Sequence, residues 1–311
     1  MEQRRLGRSD LQVSVVGLGC NNFGWKADLA ETQAIVDRAL DAGISFFDTA
    51  ISYGPSEEYL GTALGVRRKD AVIATKFGSP EDPVAGDARG ARAYVMDAAE
   101  ASLRRLNTDW IDLYQLHFPD PATPIDETLR ALQDLVAQGK VRAIGCSNLS
   151  ANAIDAAQTA AKDAGIGGFV TTQNEYNVLV RGLEQDLAPM IARHGLGLLP
   201  YFPLANGVLT GKYKTGRAAP ADARLADAPV YFDAYRDPAK WEAAARLEAF
   251  AAARGHSLLD LAVSWLAARP GVTSVIAGVS RASQVDANAR AADWVLSAED
   301  MAEIDRLLDA A

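Results

Sequence analysis

The chain has 311 residues, 49% hydrophobic and 23% charged, which is enough apolar material for a large core and shows no bias toward disorder. Its formal net charge of −9, from 31 basic and 40 acidic residues with no Lys/Arg-rich run, argues against nucleic acid or an anionic membrane as main partner and favours small molecules. No apolar run approaches the ~18 residues that span a bilayer, because stretches such as LLPYFPLANGVL are broken by proline, glycine and asparagine.

In chain order, RRLGRSDLQVS (4–14) comes first, two short extended pieces around Gly7, Ser9 and Asp10 that predict a β-hairpin plugging or capping the main fold. Met1 to Gly24 lacks a charged-then-apolar leader, and Cys20 and Cys146 lack metal-ligand spacing, so we expect reduced thiols, a cytoplasmic location and no metal. Eight β-like runs follow: VVGLG (15–19), ISFFD (44–48), AVIATKF (71–77), DLYQLH (112–117), VRAIG (141–145), FVTTQ (169–173), LGLLPY (196–201) and TSVIAG (273–278). Helical periodicity lies between them. ETQAIVDRALDAG (31–43) puts Ile35, Val36, Ala39 and Leu40 on one face and closes at Gly43; segments 91–107 and 127–140 behave alike. Apolar strands separated by helices imply a parallel sheet covered outside by helices. Eight such units without a break favour an α/β fold of the (β/α)8 TIM-barrel type, a single domain over 1–311. The alternative, an open doubly wound sheet, wants a G-x-G-x-x-G turn that GLGCNNFG lacks. One interval breaks the rhythm: segment 204–238, rich in Gly, Pro and Ala, predicts a long loop after the seventh barrel strand, on the catalytic face.

A barrel's chemistry sits at the C-terminal ends of its strands. Those ends are Asp48, Lys76, His117, Ser147 with Asn148, Gln173 and Tyr201, more polar residues than packing alone requires. Singly they have plainer readings: Asp48 as a turn cap, His117 as a core histidine, Tyr53 as a surface aromatic. Lys76 resists one, because lysine is rarely buried without a partner. Jointly, Asp48, Tyr53, Lys76 and His117 form an acid–base set. A free tyrosine titrates near ~10; an adjacent ammonium is expected to lower it, an adjacent carboxylate to keep that ammonium charged, and His117 to polarise a substrate carbonyl. Trp25, Phe77 and Phe118, just after barrel strands, are candidates for an apolar substrate pocket.

With these residues in place, the chain resembles the aldo-keto reductase family along essentially its whole length. The motifs are GISFFDTAISYGPSEEYLG, ATKFG, DLYQLHFPD, KVRAIGCSNLS, TTQNEYN, PYFPLANGVLTGKY and VIAGVSRASQVDANARA, in the family's order. The resemblance implies a carbonyl-reducing oxidoreductase, reversible, with Asp48, Tyr53, Lys76 and His117 as its catalytic tetrad and Tyr53 as proton donor. It implies NADPH/NADP+ ahead of NADH, bound without a Rossmann domain. Ser147, Asn148 and Gln173 would hold the carboxamide, beside Asp48, and Tyr201 would stack on the nicotinamide. Cys20 and Asn21 would touch its ribose. Phe202, Pro203, Leu204, Leu209 and Lys212 would follow the pyrophosphate; Gly278, Ser280, Arg281, Gln284 and Asn288 would face the adenosine, Arg281 forking onto a 2′-phosphate. Three positions depart from the family: Phe202 where serine is common, Ala277 where proline is usual, and Ala287 before Asn288 where many members have glutamate. The resemblance extends to barrel subunits that sense nicotinamide redox state beside potassium channels, and to sugar, alcohol or pyridoxal dehydrogenases using the same site.

Overall fold

The computed structural model describes residues 1–82, 88–213 and 235–309. Strands β1 (Gln3–Arg5) and β2 (Gln12–Ser14) form the antiparallel hairpin, with Gln3 opposite Ser14. The barrel strands are β3 (Val16–Gly19), β4 (Phe46–Asp48), β5 (Val72–Phe77), β6 (Ile111–Leu116), β7 (Val141–Ser147), β8 (Thr171–Glu175), β9 (Gly197–Tyr201) and β10 (Val275–Gly278). They pair in parallel in the order β10-β3-β4-β5-β6-β7-β8-β9. A parallel bridge between Leu198 and Val272, with Thr273 N donating to Leu198 O at 2.9 Å, brings the two edges together. The result is the (β/α)8 barrel with its N-terminal hairpin.

Helices α1 (Leu29–Asp41), α2 (Ser56–Leu64), α3 (Arg92–Arg105), α4 (Ile125–Ala137), α5 (Ala151–Asp163) and α6 (Leu183–His194) connect the strands through β9. After β9 come α7 (Pro238–Ala252) and α8 (Leu258–Ala267), and after β10 come α9 (Ser283–Arg290) and α10 (Ala298–Asp309). Helix α1 begins where Asp28 accepts a hydrogen bond from Glu31 N and buries Thr32, Ile35, Val36 and Ala39. Strand β4 is shorter than its apolar run suggests. Ile44 N caps α1 at Ala39 O, and Ser45 exchanges hydrogen bonds with Ser14 of the hairpin, so of these two only the Ser45 carbonyl, accepting from Val72 N, reaches the neighbouring strand. Of the long interval after β9, a 3-10 turn at Ala205–Thr210 is described, and residues 214–234 lie outside the described residues.

Two apolar layers follow from the two faces of each strand. Phe47, Ile73, Tyr114 and Ile144 face the helices, while Phe46, Ala74, Leu113, Ala143, Leu199 and Ile276 fill the barrel's interior. Leu6, Leu11 and Val13 of the hairpin complete that inner cluster, so the hairpin stoppers the N-terminal end. Side chains alternate at every residue, so two steps beyond Phe46, Ala74, Leu113 and Leu199 the interior receives Asp48, Lys76, Gln115 and Tyr201. The barrel is therefore apolar below and polar at its C-terminal mouth.

The stopper is held closely. At Gly7, φ is +54°, and a Cβ there would stand 1.9 Å from Val170 O. Gly7→Ala should cost about 2–5 kcal/mol, combining left-handed strain with a backbone clash, seen as a lower urea midpoint at unchanged slope. Gly139→Ala, at φ +72° with nothing within 4 Å, should cost only the strain, about 1 kcal/mol.

Candidate active site

Lys76, at the inner face of β5, is fully buried, and its ammonium has three partners. It donates to Asp48 Oδ2 at 2.6 Å, to Thr49 O at 2.9 Å and to Tyr53 Oη at 3.5 Å. The other oxygen of Asp48 accepts from Gln173 Nε2 at 2.8 Å and Gln115 Nε2 at 3.3 Å. Burial alone would lower the Lys76 pKa, but Asp48 and Tyr53 outweigh it and hold the ammonium above its ordinary value. Tyr53 departs from expectation. Its desolvation raises the phenol above the free-tyrosine value, and Lys76 offsets only part of that, so Tyr53 keeps its proton at neutral pH.

His117 stands beside this set, its ring 5.9 Å from that of Tyr53 and nearly perpendicular to it. Burial, then the charge of Lys76, pushes its pKa down to about 3, so the imidazole is neutral. Its backbone N–H continues the ladder to Phe77 O, and Asn148 Nδ2 donates to its carbonyl at 3.0 Å. Asn148 also donates to Ser147 Oγ, while its Oδ1 accepts from Tyr201 Oη at 2.9 Å; Ser147 Oγ donates to Gln173 O. The Tyr201 ring is thereby fixed at the mouth, with Phe202 edge-on at 5.0 Å.

A cavity of about 820 Å³ opens over these residues. It brings together Asp48, Tyr53, His117 and Phe118 with Cys20, Asn21, Ser147, Asn148, Gln173 and Tyr201, and extends past Phe202, Pro203, Leu204 and Lys212 to Gly278, Ser280, Arg281, Gln284 and Asn288. Lys76 lies behind the wall that Asp48 and Tyr53 form. Gln284 Oε1 accepts from Ser280 N and Arg281 N, shaping the turn that presents Arg281. Three expected residues stand elsewhere. Phe77 points away from the barrel axis and stacks on Tyr114 at 4.7 Å, because its position on β5 is odd relative to Lys76. Leu209 is fully buried in the 3-10 turn. Trp25 is 67% exposed with Lys26 Nζ 4.7 Å above its ring, and Lys26, not Trp25, lines the cavity. The wall near Tyr53 is instead polar, with Ser52, Ser79 and Glu81 beside Phe118.

Other residues escaped the sequence reading. Gln115 is one, and its signal was available: it lies two before His117 on a strand whose alternate residues face inward. Asn22, whose Nδ2 donates to Val279 O, and Asn206 also line the cavity, but loops carry no period that marks them.

A sequence model described as the Aldo/keto reductase family matches residues 15–309. The chain is 37% identical to the probable voltage-gated potassium channel subunit beta of Arabidopsis thaliana, over 95% of this chain and 92% of that protein. It is 32% identical to the L-glyceraldehyde 3-phosphate reductase of Escherichia coli (strain K12), over 98% and 92% respectively. With the aldo-keto reductase YhdN of Bacillus subtilis (strain 168), identity is 32% over 99% of this chain and 94% of the other.

The neutrality of His117 is directly measurable. Its ring carbons should show no titration by NMR between pH 8 and pH 5, where a solvated histidine passes through its midpoint near ~6.5. The sign for stability follows: between ~6.5 and about 3 the unfolded chain takes up a proton that folded His117 refuses, so this residue makes the fold lose stability as pH falls. A midpoint near neutrality would mean that the ring is hydrated and not packed against the Lys76 charge.

Proposed function

The chain belongs to the aldo/keto reductase family, and from that premise we propose that it is an NADP(H)-dependent oxidoreductase that reduces aldehyde or ketone carbonyls reversibly, with Tyr53 as proton donor. The observation that carries this reading is the buried Lys76 ammonium, in contact with Asp48 and Tyr53, beside a neutral His117 at the wall of one long cavity.

The residues present suit a nicotinamide dinucleotide. Tyr201 offers a ring fixed by Asn148, and Gln173 and Asn148 line the cavity with it. Farther along, Lys212 and Arg281 bring positive charge to the cavity wall, and the Arg281 side chain is exposed. Ser147, Asn148, Gln173 and Tyr201 would hold the nicotinamide end, Cys20 and Asn21 its ribose, and Arg281, Gln284 and Asn288 the adenosine end. When bound, such a group supplies the hydride.

The chain's own residues supply the rest. Tyr53, protonated because desolvation outweighs Lys76, donates its phenolic proton to the carbonyl oxygen as negative charge develops there. Lys76 remains charged against Asp48 and stabilises the phenolate left behind. His117, neutral, orients the oxygen by a hydrogen bond without introducing a second cation. Reduction uses the form of Tyr53 present at neutral pH. Oxidation of an alcohol needs the phenolate, so its rate should rise with pH over the range where reduction is still level. Cys20 and Cys146 are buried and unpaired, which suits a reducing, cytoplasmic setting and a small-molecule partner.

A second reading rests on the relative named as a channel subunit beta: the same barrel as a cofactor-binding regulatory subunit with little turnover. Steady-state NADPH consumption with a panel of aldehydes separates the two, since the regulatory reading predicts binding with negligible turnover.

Tyr53→Phe should lower reductase kcat by about a hundredfold or more while leaving the NADPH Kd within about twofold, because the phenol acts on the oxygen and not on the cofactor. Full turnover in that variant would remove Tyr53 from its role. Arg281→Ala should raise the NADPH Kd about tenfold or more and the NADH Kd hardly at all, measured by fluorescence titration. Equal losses would place Arg281 outside a 2′-phosphate site.

A further inference from the structure

Gln115, on β6, has no exposed surface and points into the barrel beside Lys76, its partner across the ladder from β5. Among the described residues its side-chain amide has one partner: Nε2 donates to Asp48 Oδ1 at 3.3 Å, while Oε1, buried as well, meets no donor. An amide in that state costs the fold free energy, because a buried acceptor left unmet has lost water and gained nothing, whereas an apolar side chain of equal length would carry no such penalty. The neighbouring strand nevertheless gives way for it. Gly145 lies opposite Gln115 on β7, and a Cβ there would stand 3.2 Å from Gln115 Cγ and 2.4 Å from Thr171 Oγ1. A polar residue kept in an interior layer at a cost, with room made for it, is accounted for by what its one bond does.

Resting on the carbonyl-reductase reading above, we propose that Gln115 is a positioning residue for the proton donor, its Nε2 holding the Asp48 carboxylate in the orientation that keeps Oδ2 on Lys76 and Lys76 beside Tyr53. Gln173, the other donor to Asp48 Oδ1, lines the cavity, where a bound ligand competes for its amide. Gln115 is sealed behind that wall and spends its amide on Asp48 alone, so it grips the carboxylate whether or not the cavity is filled. Its N–H also turns the positive end of a dipole toward the charged pair, which favours the phenolate that Tyr53 becomes on giving up its proton. The titratable groups facing Tyr53 are Lys76, Asp48, Cys20, His117 and Tyr201, and of these only the Lys76–Asp48 pair is charged at neutral pH. Without the Gln115 donor the phenolate is less favoured, and alcohol oxidation, which needs it, is displaced to higher pH.

The test uses Q115M and Q115L in the full chain, both apolar and close to glutamine in size, with T171V as control. Thr171 Oγ1 is a second fully buried group without a partner among the described residues, one ladder step beyond Gly145, and it makes no bond to Asp48. In Q115M and Q115L the melting temperature should stay level or rise, while the alkaline limb of the alcohol-oxidation profile moves up by about half a pH unit or more. Oxidation kcat at pH 7 should fall about threefold, with the alcohol KM and the NADP+ Kd within about twofold. The titration midpoint of Tyr53, read by NMR on ring-¹³C tyrosine and assigned through Y53F, should rise with the limb and needs no turnover. T171V should move neither. A limb and midpoint unmoved in both Gln115 variants would overturn the proposal, and so would an equal displacement in T171V, which would trace the effect to packing of the layer. Melting temperatures lowered by several degrees in both variants would also overturn it, since Gln115 would then serve the fold. Failure of the wild type to turn over any carbonyl or alcohol would overturn the reductase reading, and the NMR midpoints alone would still decide whether Gln115 acts on Tyr53 through Asp48.

Discussion

A charged lysine with no exposed surface is the constraint around which the mouth of this barrel is arranged. Removing an ammonium and a carboxylate from water costs several kcal/mol per ion, which a single contact in a low dielectric does not reliably offset. Here the Lys76–Asp48 pair has help at every position. The ammonium reaches a carboxylate, a backbone carbonyl and a phenol, and the second carboxylate oxygen takes two amide N–H groups. Such a pair adds little to stability over an apolar replacement, so its presence is better explained by what it does to Tyr53. It places a fixed positive charge beside a phenol that remains protonated, a combination suited to releasing a proton only when an oxygen nearby becomes more basic.

The geometry that permits this is the parity of parallel strands. Register pairs Lys76 with Gln115 and Ser147 with Gln173, so side chains from neighbouring strands enter the same inner layer at almost the same height. Asp48 lies across from Ala74, two residues before Lys76, which lets the longer lysine side chain reach back to it. Beneath, the hairpin closes the other end with Leu6, Leu11 and Val13, so the charged layer rests on a continuous apolar one. Water therefore reaches the charged layer from the mouth side, where a substrate would enter.

Much of this was legible in the sequence because strands and helices announce themselves by period and composition. The eight apolar runs, the terminal Asp48 and Lys76 and the hairpin at Gly7 follow from local pattern. What was not legible depends on which way a side chain points. Phe77 follows Lys76 immediately and so faces the helices; an aromatic next to a strand-end lysine looks like pocket lining only while that parity is ignored. Gln115 lies on the inward parity and was overlooked among apolar neighbours. The direction of the Tyr53 shift was also beyond reach, since it depends on whether desolvation or the Lys76 charge is larger, and only packing in three dimensions sets that balance.

Backbone strain gives an independent indication of where function lies. Among the described residues, the non-glycine positions with φ above zero are Asn107, Asn148, Phe202, Ala205 and Asn206, and Asn148, Phe202 and Asn206 line the cavity. Left-handed backbone at a residue with a Cβ costs about 1–3 kcal/mol and is maintained only where surrounding contacts over-determine it. Those contacts are present: Asn148 is held through His117 and Tyr201, Phe202 O accepts from Asn177 Nδ2 and from Ala205 N, and Gly207 N returns to Leu204 O. Phe202 is the most telling of them, since an aromatic residue gains nothing from this region of its own accord. Its left-handed turn takes the chain from the end of β9 along the cavity wall toward Lys212, which a continued extended strand would not do. The strained turn is thus a chain bent against its preference so that its residues line the cavity.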